Sequence, residues 1–283
     1  MIFLDHAIIF VRNLESAAHQ YRRLGFTLTQ RGGHPSLGTA NHTIMLGRDY
    51  LELLTVLDRS TGSERWAQIL DHREGFGAMA LGTNDARSTR ATLIERGIAV
   101  PPVIDFERPV ALLEGEVRAR FTVAHLPPDA SPALPAFFCQ QHTREFVWRP
   151  EWQHHANTAF GIAGMTVVHP APDLAALAYQ RLLGTARVHP HPGGVAIDLG
   201  AARLWLVSPD YAAARLGPRP APPDSIEPVG LSLLVHDLGT ATSHLRQAGV
   251  AFRPFGPRSI IIHPDWSSGV HLELLAAEPR LSP

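Results

Sequence analysis

The fold of this chain is most constrained by a spacing that occurs four times. Each time an apolar segment is followed by Asn or Asp, which cap helices well, and then by a glycine of the kind that ends a helix. The cap and the glycine lie 12 residues apart in Asn13–Gly25, Asp85–Gly97 and Asp237–Gly249, and 11 apart in Asp173–Gly184. Four nearly equal helices, each between apolar segments, predict an internal repeat.

Each copy of the repeat predicts a βαβββ unit. In the first copy, a strand over 4–11 precedes the helix, and strands over 26–29, 43–46 and 50–54 follow it. The other copies lie at 76–142, 161–208 and 229–275, and in the second copy a strand over 98–103 is followed by a loop around 104–116.

A βαβββ unit leaves one sheet face uncovered, so units should pair. The sequence therefore predicts an α+β fold of four βαβββ modules in two domains. We expect an N-terminal domain over 1–146, a packed linker over 147–159 and a C-terminal domain over 160–283.

Composition limits the classes of partner. The net charge of the 283 residues is −1 and 45% of them are apolar, which disfavours nucleic acid and acidic membrane surfaces. No run approaches the about 18 apolar residues of a membrane-spanning helix, and no basic leader precedes an apolar segment. The single cysteine, Cys139, excludes an internal disulfide. We expect a cytoplasmic protein whose partner is a small molecule.

Three segments of the first module carry a family resemblance, namely Asp5–Val11, Arg23–Phe26 and Tyr50–Leu54. With them the chain resembles the vicinal oxygen chelate superfamily, which includes glyoxalase I, extradiol dioxygenases and bleomycin-resistance proteins. The segments 38–41, 135–140 and 148–152 are similar to the glyoxalase-like domain family within it.

The resemblance implies a metal inside each barrel of paired modules, held by the first and last strands of each module. In the N-terminal domain these positions offer His6, Glu52 and Gln140, with the fourth position empty. Such ligands suit a divalent Fe, Mn, Zn, Ni or Co ion. In the C-terminal domain they retain only Glu273, so we expect a degenerate domain there.

Two functions remain open from the sequence. One is a metal-dependent lyase, isomerase or dioxygenase acting on a small substrate with adjacent oxygens. The other is a metal-free protein that binds or sequesters a small molecule, as bleomycin-resistance proteins do. In both, Asn41, His42 and Phe138 are candidate substrate-binding residues. Modules of this superfamily pair within or between chains, which also leaves a homodimer open.

Overall fold

The computed structural model describes residues 2–112, 114–217 and 224–278. Within them, the strands are β1 (Phe3–Phe10), β2 (Gly32–His34), β3 (Thr39–Met45), β4 (Tyr50–Val56), β5 (Gly75–Gly82), β6 (Ile104–Leu112), β7 (Gly115–His125), β8 (Ala136–Gln141), β9 (Ala159–Val168), β10 (Val188–His191), β11 (Gly194–Leu199), β12 (Ala202–Val207), β13 (Glu227–Val235), β14 (Phe252–Gly256), β15 (Ser259–Ile262) and β16 (His271–Ala276). The α-helices are α1 (Leu14–Arg23), α2 (Glu64–His72), α3 (Ala86–Glu95), α4 (Pro172–Leu183), α5 (Pro209–Leu216) and α6 (Leu238–Gln247).

The strands form two eight-stranded sheets with the same topology. Their orders are β2-β3-β4-β1-β5-β8-β7-β6 and β10-β11-β12-β9-β13-β16-β15-β14. In the first sheet β1 pairs with β4 in parallel and with β5 antiparallel, so the antiparallel pair joins two modules. The predicted α+β fold of four βαβββ modules in two halves is confirmed.

Three of the predicted helix caps form hydrogen bonds. The side chain of Asn13 accepts one from the Ser16 amide at 2.9 Å, and Asp85 and Asp237 cap α3 and α6 in the same way. The glycines that end these helices adopt positive φ angles of 91°, 75° and 65° at Gly25, Gly97 and Gly249. The spacing seen in the sequence thus reflects true helix ends.

The third copy begins differently. Helix α4 starts at Pro172, its cap residue Ala171 makes no side-chain hydrogen bond, and Asp173 lies in the first helical turn. Proline suits this first position because its φ is already helical and it has no amide hydrogen to leave unpaired.

Several elements differ from the sequence prediction. Residues 26–29 are not a strand, and β2 forms later, at Gly32–His34. Residues 98–103 are also not a strand, whereas 104–112, which looked like a loop, is the edge strand β6. The sequence did not predict helices α2 and α5. Helix α2 has no side-chain cap hydrogen bond and no terminal glycine, whereas α5 lies between Ser208 and Gly217, a shorter spacing than that of the repeat.

The two halves share a continuous hydrophobic core. It contains Tyr21 from the first half and Tyr179 from the second, both fully buried. In the segment between the sheets, Asn157 is 0% exposed and donates a hydrogen bond to the carbonyl of Leu24. None of the described helices is long and apolar enough to cross a membrane.

A buried carboxyl also joins the halves. Asp49, in the turn between β3 and β4, is 1% exposed and accepts a hydrogen bond from the Ile162 amide on β9 at 2.9 Å. Burial raises the pKa of Asp49 to about 7, although the Ile162 amide and Arg48 oppose the shift. In the unfolded chain this carboxyl ionises at its ordinary, lower pKa.

We predict that Asp49 makes the stability fall as the pH rises from about 4 to about 7, because the folded state keeps a proton that the unfolded state loses. Asp49→Asn keeps the acceptor for Ile162 and cannot ionise. Its stability relative to wild type should therefore grow over this range, by at most roughly 4 kcal/mol.

Urea unfolding at a series of pH values measures this difference. Asp129→Asn, at an exposed site, is the control and should follow the wild type. A difference between Asp49→Asn and wild type that stays constant with pH would contradict the prediction.

Candidate functional site

The N-terminal sheet curls around a cavity. Its edge strands β2 and β6 approach each other, and the enclosed space measures about 410 Å³. The residues that line it include His6, Ile8, His34, Asn41, Tyr50, Glu52, Arg65, Trp66, Phe106, Arg108, Phe121, His125, Phe137 and Cys139. The walls are mostly aromatic or aliphatic, with a few polar groups.

An irregularity in β1 brings Asp5 and His6 together. The pairing of β1 with β5 shifts between Leu4 and His6, which leaves Asp5 as an extra residue. The Asp5 carboxylate lies 2.6 Å from Nδ1 of His6, and the amide of Gln141 donates to both Asp5 oxygens at 2.9 and 3.0 Å. The aspartate thus orients the imidazole, whose Nε2 is left for the cavity.

Glu52 faces His6 from β4. Its Oε2 lies 3.6 Å from Nε2 of His6, and its Oε1 accepts a hydrogen bond from the Asn41 amide at 2.6 Å. The ring of Tyr50 stacks on the imidazole, with 4.3 Å between ring centroids. These contacts hold both side chains in place although Glu52 is buried among leucines.

The hydrogen bond to Asp5 determines which ring nitrogen of His6 carries a hydrogen. A carboxylate only accepts, so Nδ1 of His6 carries the hydrogen that Asp5 binds, and Nε2 of a neutral ring is then an acceptor. Oε2 of Glu52 is also an acceptor. Two acceptors at 3.6 Å require a proton, a cation or a hydrogen-bond donor between them.

Two predicted site residues on β8 do not reach the cavity. Oε1 of Gln140 accepts a hydrogen bond from the Ala86 amide at the start of α3. Phe138 is fully buried in the core between sheet and helices. Their neighbours Phe137 and Cys139 line the cavity instead. The register expected from the sequence was off by one residue, and such a slip moves every side chain to the other face.

His42 also lies outside the cavity. Its Nδ1 donates to the carbonyl of Thr29 at 2.8 Å, and its Nε2 lies 3.7 Å from a carboxylate oxygen of Glu15 on α1. Asn41, the next residue along β3, lines the cavity as expected. Of the six predicted site residues, the structure therefore brings His6, Glu52 and Asn41 together.

Other residues of the cavity were not among the six predicted site residues, and they include His34 and His125. Burial lowers the pKa of each of these histidines to about 4, so both rings are neutral at neutral pH. Arg108 was also missed because its segment looked like a loop. A signal existed, since Phe106, Arg108 and Val110 alternate with exposed Asp105 and Glu107 as on a strand.

The chemistry of the donors argues against a three-ligand metal centre. The described residues contain no group of three or more His, Cys, Asp or Glu side chains that could hold a metal ion. His6 and Glu52 are two donors, whereas catalytic metal sites of the zinc type use three protein ligands. The cation of Arg108 lines the same cavity. These residues do not fit the metal site that the resemblance implied.

The C-terminal half has a comparable cavity of about 380 Å³ with different contents. Glu273 accepts a hydrogen bond from the Ser232 hydroxyl at 2.6 Å. The ring of Trp205 lies over Gly164, where a Cβ atom would come within 2.2 Å of it. An indole thus covers the strand that would correspond to β1.

Comparison with protein families identifies one match. The sequence model of the glyoxalase-like domain matches residues 4–183, which is more than half of the chain. This match confirms the resemblance seen in the sequence. The search of curated protein sequences found no match.

Solved structures match over nearly the whole chain. A hypothetical protein from Staphylococcus aureus has a TM-score of 0.73 at 13% identity, covering 98% of this chain and 100% of that one. A mutant 4-hydroxymandelate synthase from Streptomyces coelicolor has a TM-score of 0.61 at 13% identity, covering 100% and 95%.

A further match is a fusion protein of a xylose isomerase-like TIM barrel and a 4-hydroxyphenylpyruvate dioxygenase. Its TM-score is 0.59 at 15% identity, with 99% of this chain and 49% of that chain covered. At these identities the three structures establish a common fold, and the fold is of the vicinal oxygen chelate type.

We predict that Asn41 stabilises the buried carboxylate of Glu52. Asn41→Ala should reduce the free energy of unfolding by about 1–3 kcal/mol, because it leaves Oε1 of Glu52 without a donor. In a Glu52→Leu background, Asn41→Ala should reduce the free energy of unfolding by less than half of that amount. Urea unfolding of the four proteins measures this coupling, and equal costs in both backgrounds would contradict it.

Proposed function

The chain belongs to the glyoxalase-like domain family, and we propose that its N-terminal cavity binds a small, largely apolar molecule without a three-ligand metal centre. The observation that carries this proposal is the enclosed cavity, in whose wall Nε2 of His6 lies 3.6 Å from Oε2 of Glu52. A polar group of a ligand can hydrogen-bond to this pair.

The size and the walls of the cavity support a small organic ligand. Its volume of about 410 Å³ lies within the about 300–1,000 Å³ of small-molecule sites. Trp66 and Phe137 lie 6.4 Å apart between ring centroids, and Phe137 also lies edge-on to His6 at 5.7 Å. These rings already contact one another and form one aromatic wall, against which the apolar body of a ligand would pack.

The cavity wall offers polar recognition and no evident nucleophile. Burial raises the pKa of the Cys139 thiol, which keeps it neutral and unreactive. His34 and His125 are neutral for the same reason and can each accept or donate one hydrogen bond. The proposal therefore rests on binding.

A metal-dependent lyase, isomerase or dioxygenase is the second candidate. One observation favours it, because Asp5 holds Nδ1 of His6 as carboxylates do behind metal-binding histidines. It needs a third protein ligand in addition to His6 and Glu52, and Gln140 does not supply one.

We predict that 2-naphthamide, a neutral aromatic amide, binds to the N-terminal cavity. Cys139→Phe places a large ring in the open space and should weaken binding by about tenfold or more, since a ring of similar size is displaced. Val207→Phe fills the C-terminal cavity instead and is the matched control. Isothermal titration calorimetry measures both affinities.

Equal affinities of Cys139→Phe and wild type would contradict the assignment of the cavity. Absence of any binding to wild type would contradict the proposed function. A loss of affinity in Val207→Phe with no change in Cys139→Phe would place the ligand in the other half.

We further predict that wild-type protein purified without chelators holds no stoichiometric divalent metal. Fe, Mn, Zn, Ni and Co should each leave the melting temperature unchanged, because two protein donors give weak affinity. One metal ion per chain, lost in both His6→Ala and Glu52→Ala, would favour the metal-dependent enzyme instead.

A further inference from the structure

Arg108 lies on the inward face of strand β6, where the alternating pattern of the strand predicts an apolar side chain. Strand β6 turns Phe106, Arg108 and Val110 inward, while Glu107 points out and pairs with Arg118 at 2.8 Å. The inward residues on either side are apolar. A charged residue in such a row is unfavourable for folding, because the buried charge loses its hydration.

The guanidinium of Arg108 is buried without an ionic partner. The residue is 8% exposed and lines the cavity. Among the described residues it forms no hydrogen bond and no ion pair, and it lies over the ring of Phe121, 5.8 Å from the centroid. Arg65, which also lines the cavity, is partly exposed and lies over the ring of Trp66 at 5.5 Å. Arg59 and Arg87 pair with Asp71 and Asp105 at the surface.

The carboxylates of Asp5 and Glu52 each have a partner other than Arg108. Asp5 accepts from Nδ1 of His6 and from the amide of Gln141. Oε1 of Glu52 accepts from Asn41, and its Oε2 faces His6. The positive charge of Arg108 is therefore left for something that enters the cavity.

The backbone leaves room beside this arginine. Gly32 on β2 lies opposite, and a Cβ atom there would come within 3.3 Å of Nη1 of Arg108 and within 2.6 Å of Oδ1 of Asn41. A side chain at this position would crowd both groups. Because Gly32 has no side chain, Arg108 and the Asn41 amide that donates to Glu52 can both occupy their positions.

We infer that Arg108 binds the carboxylate group of the molecule whose apolar body fills the N-terminal cavity. The planar guanidinium matches a carboxylate with two parallel hydrogen bonds. Glu52 lines the same cavity and Asp5 lies behind His6, and these two carboxylates favour a single negative charge on the ligand over a doubly charged phosphate. The ligand class is thus a small aromatic or aliphatic monocarboxylate.

This inference rests on the proposed function and is tested with a matched pair of probes. The probes are 2-naphthoate and 2-naphthamide, which differ in charge and hardly in shape. Wild type should bind the naphthoate at least about tenfold more tightly, as expected for hydrogen bonds to charged groups. Arg108→Gln should abolish this preference and leave the affinity for the amide within about twofold.

The control variant is Arg203→Gln, which removes an arginine from the C-terminal cavity and should leave the preference unchanged. Affinities are measured by isothermal titration calorimetry. Equal binding of both probes to wild type, or an unchanged preference in Arg108→Gln, would overturn the inference and leave the cavity proposal standing. Failure of both probes to bind would overturn both.

The melting temperature of the ligand-free proteins gives a second measurement. Because Arg108 has no ionic partner, Arg108→Gln should melt at or above the temperature of wild type. A marked loss of stability would identify Arg108 as part of a structural ion pair and would overturn the inference. Saturation with 2-naphthoate should raise the melting temperature of wild type and not that of Arg108→Gln.

Discussion

The antiparallel pairing of β1 with β5 is the interaction on which the rest of the structure depends. It joins two βαβββ modules edge to edge, and β9 with β13 does the same in the other half. Without this pairing each module would expose a sheet edge and one apolar face. With it, the outer face packs on the helices and the inner face curls into a chamber. Strand β1, which forms this pairing, therefore also places His6 at the cavity.

The repeat could be predicted from the sequence because residues close together in the chain determine where each helix begins and ends. Asn13, Asp85 and Asp237 cap helices with their own side chains, and the glycines that follow adopt backbone angles that other residues avoid. Strands β1 and β4 carry apolar runs, so they could be predicted as strands. That His6 and Glu52 face the inside of the barrel was implied by the resemblance to the vicinal oxygen chelate superfamily and not by these local signals.

The errors arose where only tertiary structure sets the register. Strand β8 is apolar on both faces, so its alternation could not tell Phe137 from Phe138, and Gln140 was placed on the wrong side. Strand β6 lies at an edge, and its exposed charges hid the inward row that contains Arg108. Gln141 escaped notice because its partner, Asp5, becomes available only through an irregularity in another strand.

The register shift in β1 explains how the adjacent residues Asp5 and His6 can contact each other. In a regular strand, adjacent side chains point to opposite faces, so no substitution can make neighbours work together. The extra residue in β1 breaks this alternation at Asp5 and His6. The corresponding register shift in β5 leaves Gly77 as the extra residue, and glycine has no side chain that could pair with a neighbour. An irregularity of this kind thus occurs in the first strand of both modules of this half, but only in the first module do side chains beside it form a polar pair. The pairing of Asp5 with His6 therefore depends on the local strand geometry as well as on the identity of the two residues.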